Sequence, residues 1–242
     1  MTMAAFETII YEKDQRGVAH LTLNRADVLN AVNLQMRDEL WSAFEAFRDD
    51  PDARVLVLRG AGRAFSSGAD ISEFGTAPSY VEARRARHER DLWNLLLHLP
   101  KPVIAAIHGY ALGAGLEMAL LCDLRVASED ARLGLPEVSL GYIPSAGGTQ
   151  TLPRAIAPGV ALHMILSGDA IDAAEAYRLR LVQRVVPREQ LDAAADEWAR
   201  ALASRPARAL SYAKEAIVRG LDLSLRDGLS LEARLAGLLL EP

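Results

Sequence analysis

A chain of 242 residues, half of them hydrophobic and 24% charged, has the length and composition of one domain with a sizeable core. A net charge of -5 excludes the electrostatic footprint of a nucleic-acid binder or of a protein drawn to an anionic membrane. A single cysteine, Cys122, excludes an internal disulfide; with no signal-peptide core in Met1–Thr8 and no apolar run of spanning length, the expected compartment is the cytoplasm.

Thr8–Lys13 and Val18–Leu23 alternate apolar and polar residues around Asp14–Gly17, which predicts a hairpin. Asn33 caps a predicted helix over Leu34–Arg48, with Met36, Leu40, Ala43, Phe44 and Phe47 at helical spacing. Val55–Leu58 is a short buried strand, followed by a turn at Gly60–Gly62 and the small, flexible stretch Ala64–Asp70. Ser79 is the expected N-cap of a charged helix running through His98, and Pro100–Lys101–Pro102 stops the chain before the strand Val103–Ile107. Leu124–Ala127 and Ala131–Leu133 read as strands, and Pro136 suits the start of a helical turn carrying Glu137. Tyr142–Gln150 is a glycine-rich turn feeding a helix. Helical patterns then cover Ala161–Leu166, Ala173–Leu179, Arg188–Ala203, Ala207–Leu221 and Ser224–Leu240, with one strand at Val182–Val186. Strands alternating with helices to about residue 150, then helices, predict an α/β core with a helical C-terminal part.

The chain is organised around Ala111–Leu121 (ALGAGLEMALL). Gly113 and Gly115 let backbone approach a ligand, and the N–H of Ala114 is one of the donors a helix start leaves without an internal partner. Glu117 lies three residues on, on the same side, so one turn offers an anion-binding donor and a carboxylate together. Ala64–Asp70 is a second glycine-containing turn after a strand; Ala69 could supply a second donor, and two such donors make an oxyanion hole. Glu117 and Glu137, both near turns, could divide base and acid roles. Each also fits a plainer role as a first-turn carboxylate favoured by the helix dipole.

Together these blocks resemble the crotonase (enoyl-CoA hydratase/isomerase) superfamily. The resemblance rests on LNRADVLNAV (Leu23–Val32), AFSSGADI (Ala64–Ile71), Lys101–Ser128, LGLPEVSLGYIPSAGGTQTLPR (Leu133–Arg154) and LVQRVVP (Leu181–Pro187), in the family's order. It implies a spiral of ββα units over residues 1–187 and a helical trimerisation region over 188–242, assembled as a trimer or paired trimers. It implies hydration of a 2-enoyl-CoA thioester to a 3-hydroxyacyl-CoA. Oxyanion N–H groups fall on Ala69 and Ala114, the water-activating carboxylate on Glu117 and the Cα proton donor on Glu137. Further substrate contacts fall on Ser67, Gly68, Asp70, Ile71, Gly113, Pro144 and Ser145. No cofactor is implied, since coenzyme A is part of the substrate, and no metal, nucleic-acid or membrane partner. Other crotonase-type reactions and acyl-CoA binding without turnover are the alternatives.

Three positions depart from the family pattern. Asp27 and Ser72 stand where basic residues often contact the CoA phosphates. Arg180 stands where glycine is usual and is strained if that site is left-handed. Family members usually continue past Leu240 with a further helix, and the sequence given stops at Pro242, short of that helix.

The remaining chemistry-bearing residues read as structural. His108, beside Gly109, fits a packed strand end; Cys122 follows an apolar helix and fits a buried, inert thiol. Met118 occupies the last glycine's place of a dinucleotide motif beginning at Gly113, and Ser66, Ser67 and Ser145 lack the context of a serine nucleophile. The histidines show no metal-ligand spacing.

Overall fold

The computed structural model describes residues 6–73 and 90–240. Its main sheet uses β1 (Ile9–Lys13), β2 (Val18–Leu23), β3 (Val55–Gly60), β4 (Val103–Ile107), β6 (Leu124–Ser128) and β9 (Arg184–Val186), in the order β1-β2-β3-β4-β6-β9. Strands β1 and β2 form the expected antiparallel hairpin, Ile9 opposite Leu23. Every later pairing in this sheet is parallel. A second sheet holds β5 (Tyr110–Leu112), β7 (Arg132–Gly134) and β8 (Ile171–Asp172).

Burial on both faces explains why β3 and β4 are apolar throughout. Leu56 and Leu58 of β3, with Val103, Ala105 and Ile107 of β4, enter one core. That core also takes Met36, Leu40, Phe44 and Phe47 of α1 (Leu34–Asp49) and Leu116, Ala119 and Leu120 of α3 (Ala114–Leu121). Val55, Val57, Ile104 and Ala106 face the other way, onto Leu191, Ala194, Ala195 and Ala199 of α7 (Leu191–Ala203). Alternation within the strand thus serves two cores rather than a core and solvent.

The ββα unit is visible at the centre. Strand β4 lies in the large sheet, β5 in the small one, and α3 follows at once. The segment after β3 joins the small sheet through a parallel bridge between Ser66 and Ala111. Helix α1 is capped as expected by Asn33, whose side chain accepts from Met36 N. The short α2 (Leu92–Leu97) is capped by Asp91; the start expected at Ser79 lies outside the described residues. Helices α4 (Gly148–Ala155), α5 (Pro158–Ser167) and α6 (Ala173–Arg178) follow the sequence pattern.

Some elements differ from the pattern. Pro136 does open a helical turn, and it is of the 3-10 kind over Pro136–Leu140. The strand expected from Val182 shortens to Arg184–Val186, because Leu181 and Val182 are fully buried in the core before pairing begins. The helix expected from Arg188 starts as a 3-10 turn and becomes α-helical at Leu191. Arg180 has φ +63°, so the strain expected there is present.

The chain ends in a helical hairpin, α8 (Ala207–Gly220) and α9 (Leu225–Leu238). Leu231 and Leu235 of α9 are buried, whereas no residue of α8 is. Lys214 of α8 bonds Asp123 Oδ2 at 2.8 Å and Lys101 O at 3.0 Å. Asp123 Oδ2 also accepts from Val103 N, so this ion pair joins the hairpin to the start of β4.

Candidate active site

Helix α3 begins at Gly113, whose φ of +50° and ψ of -127° suit glycine alone. Its N–H donates to Gly134 O at 3.0 Å, which binds the helix start to β7. Ala114 is the first helical residue, so its N–H has no partner within the helix. Gly68, at φ +108°, lies against this start: a Cβ there would stand 2.9 Å from Leu112 O and 3.5 Å from Ala114 N. The two glycine turns read from the sequence therefore meet.

Ala69 is held by its neighbours. Val32 N donates to Gly68 O at 2.8 Å, and Asp70 N donates to Val32 O at 3.0 Å, on either side of a parallel Val32–Ala69 bridge. Alternation along an extended segment turns the Ala69 N–H away from Val32. Ser67 N donates to Leu29 O at 2.9 Å, closing the turn.

Glu117 projects from the first turn of α3 and is 2% exposed. Its Oε1 accepts from Ala146 N and Gly148 N, both at 2.8 Å. A Cβ at Gly148 would sit 3.0 Å from that oxygen and 2.9 Å from Pro144 Cβ, so the YIPSAGGTQ turn wraps the carboxyl closely. Burial pushes the Glu117 carboxyl up to about 7 against the pull of the two N–H donors, and the charge of Glu137 adds to the rise.

Glu137 stands on the 3-10 turn, half-buried. Its Oε1 lies 3.1 Å from where a Cβ of Gly113 would be, and its buried Oε2 has no hydrogen-bond partner among the described residues. Burial raises its pKa as well, opposed by its own backbone N–H. Two carboxyls that are costly to ionise thus flank the start of one helix. Burial is the main cause of the rise in both.

The other sequence-predicted residues are less uniform. Pro144 is buried beside Glu117, while Ser145 is exposed. Asp70 bonds Arg25 Nη1 at 2.9 Å and accepts from the Ser72 hydroxyl at 2.7 Å; those two bonds hold its pKa down. Ile71 is 64% exposed on the following 3-10 turn. Ser72 is spent on Asp70 and Asp27 is exposed, so neither departure from the family pattern is made good at its own position. His108 is buried with Nε2 3.1 Å from Gly62 O, and burial lowers its pKa. Cys122 is buried and its thiol is pushed up to about 12, which makes it inert. No cluster of three or more His, Cys, Asp or Glu able to hold a metal occurs among the described residues.

Sequence reading missed the residues that fix these groups. Ala146 and Gly148 act through backbone N–H, which no side chain announces. Asn30, fully buried at φ +56°, donates to Ala61 O and Ala64 O, and its Oδ1 accepts from Arg25 N. An asparagine between apolar residues in LNAV is the only signal for it.

The sequence model of the enoyl-CoA hydratase/isomerase family matches residues 13–240. A probable enoyl-CoA hydratase of Mycobacterium tuberculosis is 43% identical over 230 residues, 95% of this chain and 88% of that protein. The crotonyl-CoA hydratase of Syntrophomonas wolfei is 39% identical over 236 residues, covering 97% and 90%. The crystal structure of an enoyl-CoA hydratase from Bacillus anthracis superposes with a TM-score of 0.90 at 39% identity, covering 96% of this chain and 90% of that one.

Proposed function

The chain belongs to the enoyl-CoA hydratase/isomerase family, and from that premise we propose that it adds water across the double bond of a 2-enoyl-CoA thioester, giving a 3-hydroxyacyl-CoA. The observation that carries this reading is the pair of carboxyls, Glu117 and Glu137, both raised in pKa, the first in the opening turn of α3 and the second against Gly113 at its start. The thioester oxygen sits between the N–H groups of Ala69 and Ala114. Conjugation passes the charge of the attacked double bond to that oxygen, where fixed donors cost no reorganisation. Ala146 and Gly148 saturate Oε1 of Glu117, so Oε2 is the oxygen that takes the water proton as the water oxygen bonds Cβ. Glu137 in its acid form gives its proton to Cα. Glu117 has then gained the proton that Glu137 lost, and exchange through solvent restores the pair. No cofactor takes part.

Crotonyl-CoA absorbs in the ultraviolet through its conjugated enoyl thioester, and hydration destroys the conjugation. Steady loss of that absorbance, with a 3-hydroxyacyl product, is the expected result. Saturable binding without loss of absorbance assigns the chain to acyl-CoA binding instead.

We further propose a trimer or a pair of trimers, in the cytoplasm. Ile217, Leu221, Leu225 and Leu240 are 66%, 75%, 80% and 88% exposed, an apolar surface that a second subunit would cover. Leu231 and Leu235, by contrast, are buried within the chain itself. Sedimentation at micromolar concentration gives the assembly; a monomer overturns it. Among the described residues no helix is long and apolar enough to cross a membrane.

A further inference from the structure

We propose that Ser66 is a positioning residue that registers the two oxyanion donors against each other. The proposal rests on the hydratase reading. Ser66 is fully buried and makes four hydrogen bonds, two through its backbone to the strand before Ala114 and two through its hydroxyl, with Gly68 N and Asn30 O. Its backbone pairs with the strand leading to Ala114: Ser66 N donates to Tyr110 O at 2.9 Å, and Leu112 N donates to Ser66 O at 3.0 Å. Its hydroxyl serves the other turn. Oγ donates to Asn30 O at 2.8 Å and accepts from Gly68 N at 3.2 Å. Gly68 immediately precedes Ala69, and Leu112 lies two residues before Ala114.

A hydroxyl has one proton, so a bond to Asn30 O fixes which lone pair faces Gly68 N. Asn30 is itself held by Ala61 O, Ala64 O and Arg25 N. Ser66 also touches the helix start directly. A Cβ on Gly115 would meet Ser66 O at 2.6 Å, Cβ at 2.8 Å and Oγ at 3.0 Å. The side chain therefore lies between Asn30, the Gly68 turn and α3. Alanine would fit the space and leave Gly68 N and Asn30 O buried without a partner. The Gly68–Ala69 peptide then shifts to recover a bond, and the Ala69 donor moves off the position of the developing oxyanion. A buried hydroxyl of this kind acts on the transition state through another residue's N–H, without touching the substrate.

The test compares Ser66→Ala and Ser66→Cys with the parent. For Ser66→Ala, kcat on crotonyl-CoA falls about 10- to 100-fold, the scale of a donor misplaced by up to an ångström, with KM changed less than about 3-fold. Ser66→Cys keeps a weak donor and acceptor in place and falls between parent and alanine. The readout that a merely structural role would not move is the infrared carbonyl stretch of bound butyryl-CoA, isotope-labelled at the thioester carbonyl. That ligand is saturated and does not turn over. The parent lowers the stretch on binding, and Ser66→Ala lowers it less. A Ser66→Ala protein with parental kcat and parental carbonyl shift overturns the proposal. If Ser66→Ala does not fold, Ser66→Cys decides by the same two readouts. A parent that neither hydrates crotonyl-CoA nor shifts the carbonyl of bound butyryl-CoA overturns the hydratase reading, and the proposal with it.

Discussion

Glu137 rests against Gly113: a Cβ on the glycine would come within 3.1 Å of Glu137 Oε1 and 3.6 Å of its carboxyl carbon. Gly113 also needs φ +50° to turn β5 into α3, so one residue both begins the helix and leaves space for the proposed acid. Gly113→Ala is expected to lose stability by about 1–3 kcal/mol through backbone strain. It should also lose most of its turnover, since the methyl displaces a carboxyl whose proton must reach Cα. A urea titration and a crotonyl-CoA assay check both; parental activity in a folded Gly113→Ala protein separates Glu137 from the reaction.

The buried Glu117 carboxyl makes the protein less stable than it could be. Between its ordinary value of 4.5 and about 7, the folded chain holds a proton that the unfolded chain has released. Stability therefore falls as pH rises through that window. Above it the ionised carboxylate costs on the order of 3 kcal/mol at most. Glu117→Gln keeps an oxygen for Ala146 N and Gly148 N and carries no charge. It should melt about 5–10 °C above the parent near pH 8 and converge with it near pH 4. Its kcat should fall by roughly 10²- to 10⁴-fold. Equal melting temperatures at both pH values would show that Glu117 ionises freely in the fold.

Ala114→Pro removes the proposed donor without touching a side chain that does chemistry. Position 114 is the first residue of α3, where proline is tolerated. The variant should fold, bind butyryl-CoA more weakly, and lose kcat by about 10²- to 10³-fold, the scale of one lost oxyanion donor. A thermal melt alongside the assay separates this from misfolding. Turnover near the parent rate in a folded protein removes Ala114 from the oxyanion hole.

Arg180 offers a change in the opposite direction. Its side chain is exposed and its φ is +63°, a conformation that costs a non-glycine residue about 1–2 kcal/mol. Its N–H still bonds Tyr177 O at 2.9 Å, and glycine keeps that bond. After the greater unfolded-state freedom of glycine is subtracted, Arg180→Gly should stabilise the chain by roughly 0.5–1 kcal/mol. The urea midpoint should rise with an unchanged slope, and turnover should not change.

Elements with their own periodicity were legible in the sequence. The apolar runs of β3 and β4, the Asn33 cap and the helical stripe of α1 all lie where the pattern puts them. Strands β5 and β8 did not show, because three and two residues carry no period and their pairing is decided by distant partners. In the site, side chains with unusual placement, Glu117 and Glu137, were legible. The groups that hold them were not, because Ala146 and Gly148 act through peptide N–H groups that every residue but proline owns. Asp70 was read for its place in GAD, yet its carboxylate is committed to Arg25 and Ser72, which only the folded register brings to it.

The Lys214–Asp123 pair has a consequence for the order in which the chain can come apart. Helix α8 buries no residue fully, and the hairpin it forms with α9 is joined to the start of β4 through that pair and the Lys101 carbonyl. The two side chains are only 10% and 24% exposed, so salt screens this pair less than a surface one, and Lys214→Ala is the change that breaks the junction. In a separated subunit the hairpin is expected to open before the central sheet does. Its amides should exchange with solvent through local openings of lower free energy than those of the central strands, and Lys214→Ala should widen that gap.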